Sequence, residues 1–181
     1  MFKQIHYMLI MLLLLNPLVL YSSSYDSDIL NVFSKLMPRF VLMSNLKEQI
    51  GSSINICLLH ESKDTLTASS LQNMIYKAYP EGIKGYEVVV NKSSHANNSE
   101  CRNAQLVFFF DTDLVSMREI NEEKKLIVSY SPIFLEERSD ISLFVGRRVV
   151  PFLNVDHLQK KDIKLDNILY RISKIYKSKE H

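Results

Sequence analysis

Glycine is scarce in this 181-residue chain, with 4 copies at positions 51, 82, 85 and 146. None forms the glycine-rich strand-to-helix turn that cradles a phosphate, which excludes a nucleotide-dependent enzyme of the usual kind. The 5 histidines, His6, His60, His95, His157 and His181, show no close metal-ligand spacing; no metal is expected, and each reads as a surface residue. No G-x-S-x-G elbow is present, so a hydrolase assembled from Ser, His and Asp ranks last among the functions considered. Charge of one sign is not in excess: 22 basic and 20 acidic residues leave a formal +2. The basic residues are spread along the chain and concentrate only modestly near its end, so nothing calls for a nucleic-acid partner. Internal repeats and low-complexity tracts are absent too. No cofactor and no catalytic residue are expected.

What is present begins at the N-terminus. Lys3 precedes the apolar run Ile5–Leu15, which Asn16 and Pro17 interrupt before Leu18–Leu20 and the polar Tyr21–Ser24. This is a signal-peptide layout. An uncleaved anchor helix is the alternative, but an uninterrupted span needs roughly 20 apolar residues. Residues 1–24 are therefore read as a signal peptide cleaved within positions 20–25, and residues 25–181 as a single domain outside the cytoplasm. In an oxidising compartment the even count of 2 cysteines, Cys57 and Cys101, suggests one disulfide, with two unrelated buried thiols as the alternative.

Periodicity organises the rest. Asp26–Asp28 offers caps for a helix carrying Ile29, Val32, Phe33, Leu36, Met37, Phe40 and Val41 at helical spacing, with a kink or break expected at Pro38. A strand over Ile54–His60 and a helix from Asp64 to the residues before Pro80 follow, then a strand over Tyr86–Val90 and a polar loop over Asn91–Glu100. The run from Cys101 to Phe110 reads as the central buried strand, because Leu106–Phe110 is continuously apolar and closes on Asp111. A short helix from Asp111 or Thr112 to about Ile120, a charged surface connection over Asn121–Lys125 and a strand over Leu126–Tyr130 come next. Pro132 suits a first helical turn or a loop, and Glu136–Asp140 reads as solvent-facing. Ile141–Val145 and Val149–Leu153 form a hairpin, with Pro151 suggesting an edge position. A last helix from Asp166 and Asn167 places Ile168, Leu169, Ile172, Ile175 and Tyr176 on one face. Alternating strands and helices that end in a hairpin predict a three-layer α/β domain with a mostly parallel sheet, covered by helices on both faces.

In such a sheet ligands bind at the carboxyl ends of the strands. His60 and Glu61 stand at one such end and Asp111, followed by Asp113, at another, so His60, Glu61 and Asp111 are the candidate ligand or partner cleft. The bland reading of Asp111 and Asp113 is helix capping. Phe134, Phe144 and Phe152 are candidate interface aromatics, with core packing as the alternative for at least two of them.

The exported start, Ile56-Cys57-Leu58-Leu59 in the first strand, Cys101 ahead of the apolar Leu106–Phe109, and a closing hairpin that reaches Asn154 together resemble the YfiR-like family of small bacterial periplasmic proteins. The resemblance spans roughly residues 28–176. It implies a Rossmann-like α/β domain without a dinucleotide site, often dimeric, that restrains an inner-membrane diguanylate cyclase, and so cyclic-di-GMP signalling, by binding the cyclase's periplasmic part. Related domains also serve as sensor modules, which extends the expected partner to a sensor kinase. It implies too that Cys57 and Cys101 match a structural disulfide. The chain departs from the family's pattern at His60, where a glycine is usual, and at Arg138-Ser139-Asp140, where a Gly-Gly pair is missing. The closing Phe-Glu-Ile-Asn signature stands here as Pro151-Phe152-Leu153-Asn154, with Asn154 as the full match. The alternative expectation is a periplasmic small-ligand-binding or transport-associated protein using the His60, Glu61 and Asp111 cleft.

Overall fold

In a computed structural model, which describes residues 25–94, 99–110 and 124–177, the apolar run at Leu106–Phe110 is completely buried. Its side chains alternate between two cores, as the pleat of a strand requires. Leu106, Phe108 and Phe110 face the larger core, while Val107 and Phe109 face a smaller one that holds Cys57, Leu59, Cys101, Ala104 and Ile127. The strand β3 (Leu106–Phe109) lies inside a seven-stranded sheet with β1 (Ser53–Leu59), β2 (Glu87–Ser93), β4 (Leu126–Ser129), β5 (Ile141–Val145), β6 (Val149–Asn154) and β7 (Lys174–Tyr176). The spatial order is β2-β1-β3-β4-β5-β6-β7. Every neighbouring pair is parallel except the β5–β6 hairpin. The fold is the Rossmann-like α/β architecture that the sequence predicts.

Helices α1 (Ser27–Leu42) and α2 (Thr65–Ala78) cover the larger core. Asp26 caps α1 by accepting from the backbone N–H groups of Asp28 and Ile29. The break expected at Pro38 does not occur: α1 runs through it. Phe33, Met37, Phe40 and Val41 are all buried against the sheet around it, and that packing outweighs the one backbone hydrogen bond that proline removes. The opposite face carries the short helix α3 (Ser99–Arg102). Cys101 therefore belongs to a helix over the sheet, not to the strand that follows. Helices α4 (Val155–Lys160) and α5 (Asn167–Ile172) close the described chain together with β7.

Several sequence expectations change. The strand predicted over Tyr86–Val90 is β2, and it extends through Asn91, Lys92 and Ser93 into what read as a polar loop. β2 is an edge, so those polar residues pair through backbone alone with Cys57, Leu58 and Leu59. The last helix stops at Ile172, and Ile175 and Tyr176 pair with Leu153 and Asn154 as strand β7; of the five predicted apolar positions only Leu169 is buried. Pro151 lies in β6, which is interior. β7 contacts only Phe152–Asn154, however, so β6 has no outer neighbour at Pro151. Lys125 and Asp140, both read as surface charges, are buried. The helix expected from Asp111 to Ile120 lies outside the described residues. Among the described residues no helix is long and apolar enough to cross a membrane.

Candidate functional site

Cys57, in the middle of β1, and Cys101, on α3, are disulfide-bonded with their Cα atoms 5.1 Å apart. The bond pins α3 to the sheet. Lys125 fixes the same helix from its other side by donating to the carbonyls of Cys101 and Arg102, each at 3.0 Å. These carbonyls are at the negative end of the helix and have no partner within it, which accounts for a buried ammonium there. The covalent bond is consistent with an oxidising environment.

The strand order turns at β1, with β2 on one side and β3 on the other. At the carboxyl ends of β1 and β3 such a sheet presents its crevice. His60 and Glu61 stand there, as the sequence places them; Asp111 and Asp113 lie outside the described residues. His60 is not a surface residue. It is buried, its backbone N–H donates to the Ser93 carbonyl at 3.0 Å, and its Nδ1 lies 2.9 Å from the Glu61 carbonyl oxygen. The Glu61 carboxylate points outward to Lys63, 3.3 Å away.

The group that stands out at this end is Asp64, which the sequence marks only as the start of a helix. It is buried, it makes no capping hydrogen bond to α2, and its Oδ2 has no partner. Burial pushes its carboxyl above the ordinary carboxylate range; Lys63 and a hydrogen bond from the Tyr25 hydroxyl oppose the shift. Tyr25 packs edge-on against Phe110 and Tyr130, with ring centroids 5.0 Å and 4.9 Å away. The Tyr130 hydroxyl in turn accepts from the Asp26 backbone N–H at 3.0 Å. The crevice therefore combines an incompletely solvated carboxyl, two tyrosines and the start of α1. No motif marks Asp64, because the tyrosine that donates to it, Tyr25, lies 39 positions earlier in the chain.

A second polar group lies at the other end of the strands. Asp140 is buried and accepts at Oδ2 from the Ile127 backbone N–H at 2.7 Å and from the Lys161 ammonium, while its Oδ1 has no partner. Burial raises the Asp140 carboxyl and lowers the Lys161 amine from their ordinary ranges, each opposed by the other's charge. Asn154 is buried beside them. Its side-chain oxygen caps α4 by accepting from the His157 backbone N–H at 3.1 Å, and its Nδ2 donates to the Leu135 carbonyl at 2.6 Å. A single asparagine thus ties the end of β6, α4 and the turn after β4 together. His157 Nδ1 lies 3.2 Å from the Ser139 carbonyl oxygen. These contacts are structural, and among the described residues no cluster of three or more metal-ligating side chains occurs.

The candidate aromatics divide. Phe134 packs against Phe109 at 5.2 Å beside the disulfide core. Phe152 is half-buried under the Lys174 ammonium, and Phe144 is 51% exposed. The apolar side chains that the sequence places on one face of the last helix are instead largely exposed on α5 and β7: Ile168, Ile172 and Ile175 are 64%, 57% and 44% exposed. Among the described residues β7 ends the sheet, and its outer edge has no strand partner there.

No protein-family model and no curated protein matches the chain. The fold is similar to a solved structure described as the ABC domain in complex with L-Trp from Streptococcus pneumonia, with a TM-score of 0.55 and 9% sequence identity. The match covers 81% of this chain and 60% of that one, and at this identity the likeness is one of fold.

Proposed function

We propose that this protein is a non-enzymatic regulator that works outside the cytoplasm by binding the extracytoplasmic part of an inner-membrane signalling protein and holding it in one state. The observation that carries this reading is the apolar surface of α5 and β7. Ile168 and Ile172 stand one helical turn apart, Ile175 follows on a strand edge that is unpaired among the described residues, and all three are exposed. Sheet edges with apolar flanks are normally covered or charged, and an uncovered one is suited to strand addition or helix docking by a partner. The resemblance to the YfiR-like family supports a membrane-bound diguanylate cyclase as that partner, and the disulfide supports a periplasmic location. A homodimer through the same edge would compete with the partner. The test replaces Ile168 and Ile172 by glutamate and measures recovery of the membrane protein with the chain from solubilised membranes. Loss of recovery with an intact fold is expected; unchanged recovery contradicts the reading.

A second reading has its own observation. The unpartnered Asp64 oxygen at the β1/β3 crevice, in a fold similar to an L-Trp-bound domain, supports binding of a small ligand that brings a hydrogen-bond donor to that carboxyl. In that case Asp64→Asn raises stability at neutral pH while abolishing ligand protection against thermal unfolding. Equal protection in both proteins removes this reading.

A further inference from the structure

The β5–β6 hairpin outruns its neighbours. β5 pairs with β4 only at Ile141 and Ser142, and β6 pairs with β7 only from Phe152 to Asn154. Among the described residues, Leu143–Pro151 therefore have no third strand beside them; Leu143 and Pro151 are buried at the base, and from Phe144 onward a two-stranded tongue reaches about 10 Å past the sheet at ~3.3 Å per residue. Six consecutive residues at its end, Phe144–Val149, are exposed. Three are apolar, Phe144, Val145 and Val149, and two are the adjacent Arg147 and Arg148. The tongue contains no acidic residue, and among the described residues neither arginine has an ion-pair partner. The Phe144 ring lies over the turn so closely that a Cβ at Gly146 would meet its Cε1 at 3.1 Å. Behind it the Phe152 ring, 5.9 Å away, sits beneath the Lys174 ammonium.

We infer that this tongue docks on the surface of an anionic lipid bilayer. An isolated hairpin with exposed valines and phenylalanine gains nothing from water, and its two adjacent arginines carry charge with no ion-pair partner among the described residues. The pattern suits a bilayer interface: apolar side chains enter the boundary between headgroups and acyl chains, while guanidinium groups reach lipid phosphates beside them. Arginines attract an anionic surface over a Debye length, so the interaction falls with salt. The inference uses residues separate from the α5–β7 surface and stands whichever protein that surface meets. It would place the domain against the membrane in which a signalling partner sits.

The chain has no tryptophan, so a Phe144→Trp variant of the full chain carries one reporter at the tip. Its emission is expected to shift to the blue with vesicles of equal parts phosphatidylcholine and phosphatidylglycerol, and not with phosphatidylcholine alone. Adding Arg147→Gln and Arg148→Gln is expected to weaken partitioning by roughly thirtyfold, the effect of two charges near such a surface. Vesicle flotation of the chain with and without the arginine pair, lacking the reporter, is expected to give the same ratio. An apolar leader retained at the N-terminus contributes equally to every arm. No shift with the anionic vesicles overturns the inference, as does an unchanged partition for the arginine variant. A shift that follows protein concentration without vesicles also overturns it and assigns the tip to a second copy of the chain.

Discussion

Replacing Lys161 by methionine leaves Asp140 as a buried carboxylate without its cation, retaining only the 2.7 Å hydrogen bond from Ile127. Breaking one side of such a pair costs about 3–5 kcal/mol. The carbonyl of Lys125, to which the Lys161 ammonium also donates at 3.2 Å, loses a partner as well. The double variant Asp140→Asn, Lys161→Met behaves differently. Burial pushes Asp140 up and Lys161 down, so each ion loses more hydration than its partner returns. Removing both charges should therefore bring stability back to within about 1 kcal/mol of the parent. The pH dependence has a fixed sign. A carboxyl whose folded-state pKa lies above its ordinary 3.8 contributes its full stability below that value and loses it as pH rises through the folded pKa. The deficit of Lys161→Met should thus be smallest in acid and grow toward neutrality. Urea unfolding over a pH series measures this: with slopes of about 1–3 kcal/mol/M, the single variant's midpoint falls by roughly 1–5 M at neutral pH. A double variant as unstable as the single one, or a deficit that grows toward acid, refutes the reasoning.

Three further outcomes follow from the geometry. Replacing Cys57 and Cys101 together by alanine opens a loop with a sequence separation of 44, and the denaturation midpoint should fall by the equivalent of about 4 kcal/mol; thiol counting on the denatured, unreduced parent should find none free. Asn154→Ala removes the α4 cap and the bond to Leu135, at a cost of roughly 2 kcal/mol in thermal or chemical unfolding, whereas Asn154→Asp keeps the cap and recovers about half. Gly82 sits at φ 78, where a Cβ would lie 2.1 Å from the Tyr86 carbonyl oxygen; Gly82→Ala should cost more than about 1 kcal/mol, and Gly51→Ala, which meets nothing within 4 Å, should not destabilise.

The interior of the sheet was legible because its strands carry predominantly apolar runs, and β1, β3, β4, β5 and β6 all fall where those runs lie. β2 was half legible, since Asn91, Lys92 and Ser93 extend an edge strand by backbone pairing that leaves no hydrophobic trace. β7 was hidden: Ile175 and Tyr176 continue the helical spacing of Ile168 and Ile172, and only their pairing with Leu153 and Asn154 decides against a helix. Lys125 and Asp140 were read as surface charges because a buried charge is recognised by its partner. Those partners are the Cys101 carbonyl and Lys161, 24 and 21 positions away. The candidate site divides in the same way. His60 and Glu61 were reached from their place at a strand end, whereas Asp64 differs from an ordinary cap only by the missing bond at Oδ2.

The most direct test of the regulatory reading is to place a photo-crosslinking side chain at Ile172, irradiate cells that carry the full chain and its native membrane, and identify the crosslinked species. The expected product is an adduct with the extracytoplasmic part of one integral-membrane signalling protein, lost when Ile168 is replaced by glutamate. Crosslinking only to a second copy of the chain, or to no membrane protein, would contradict the account.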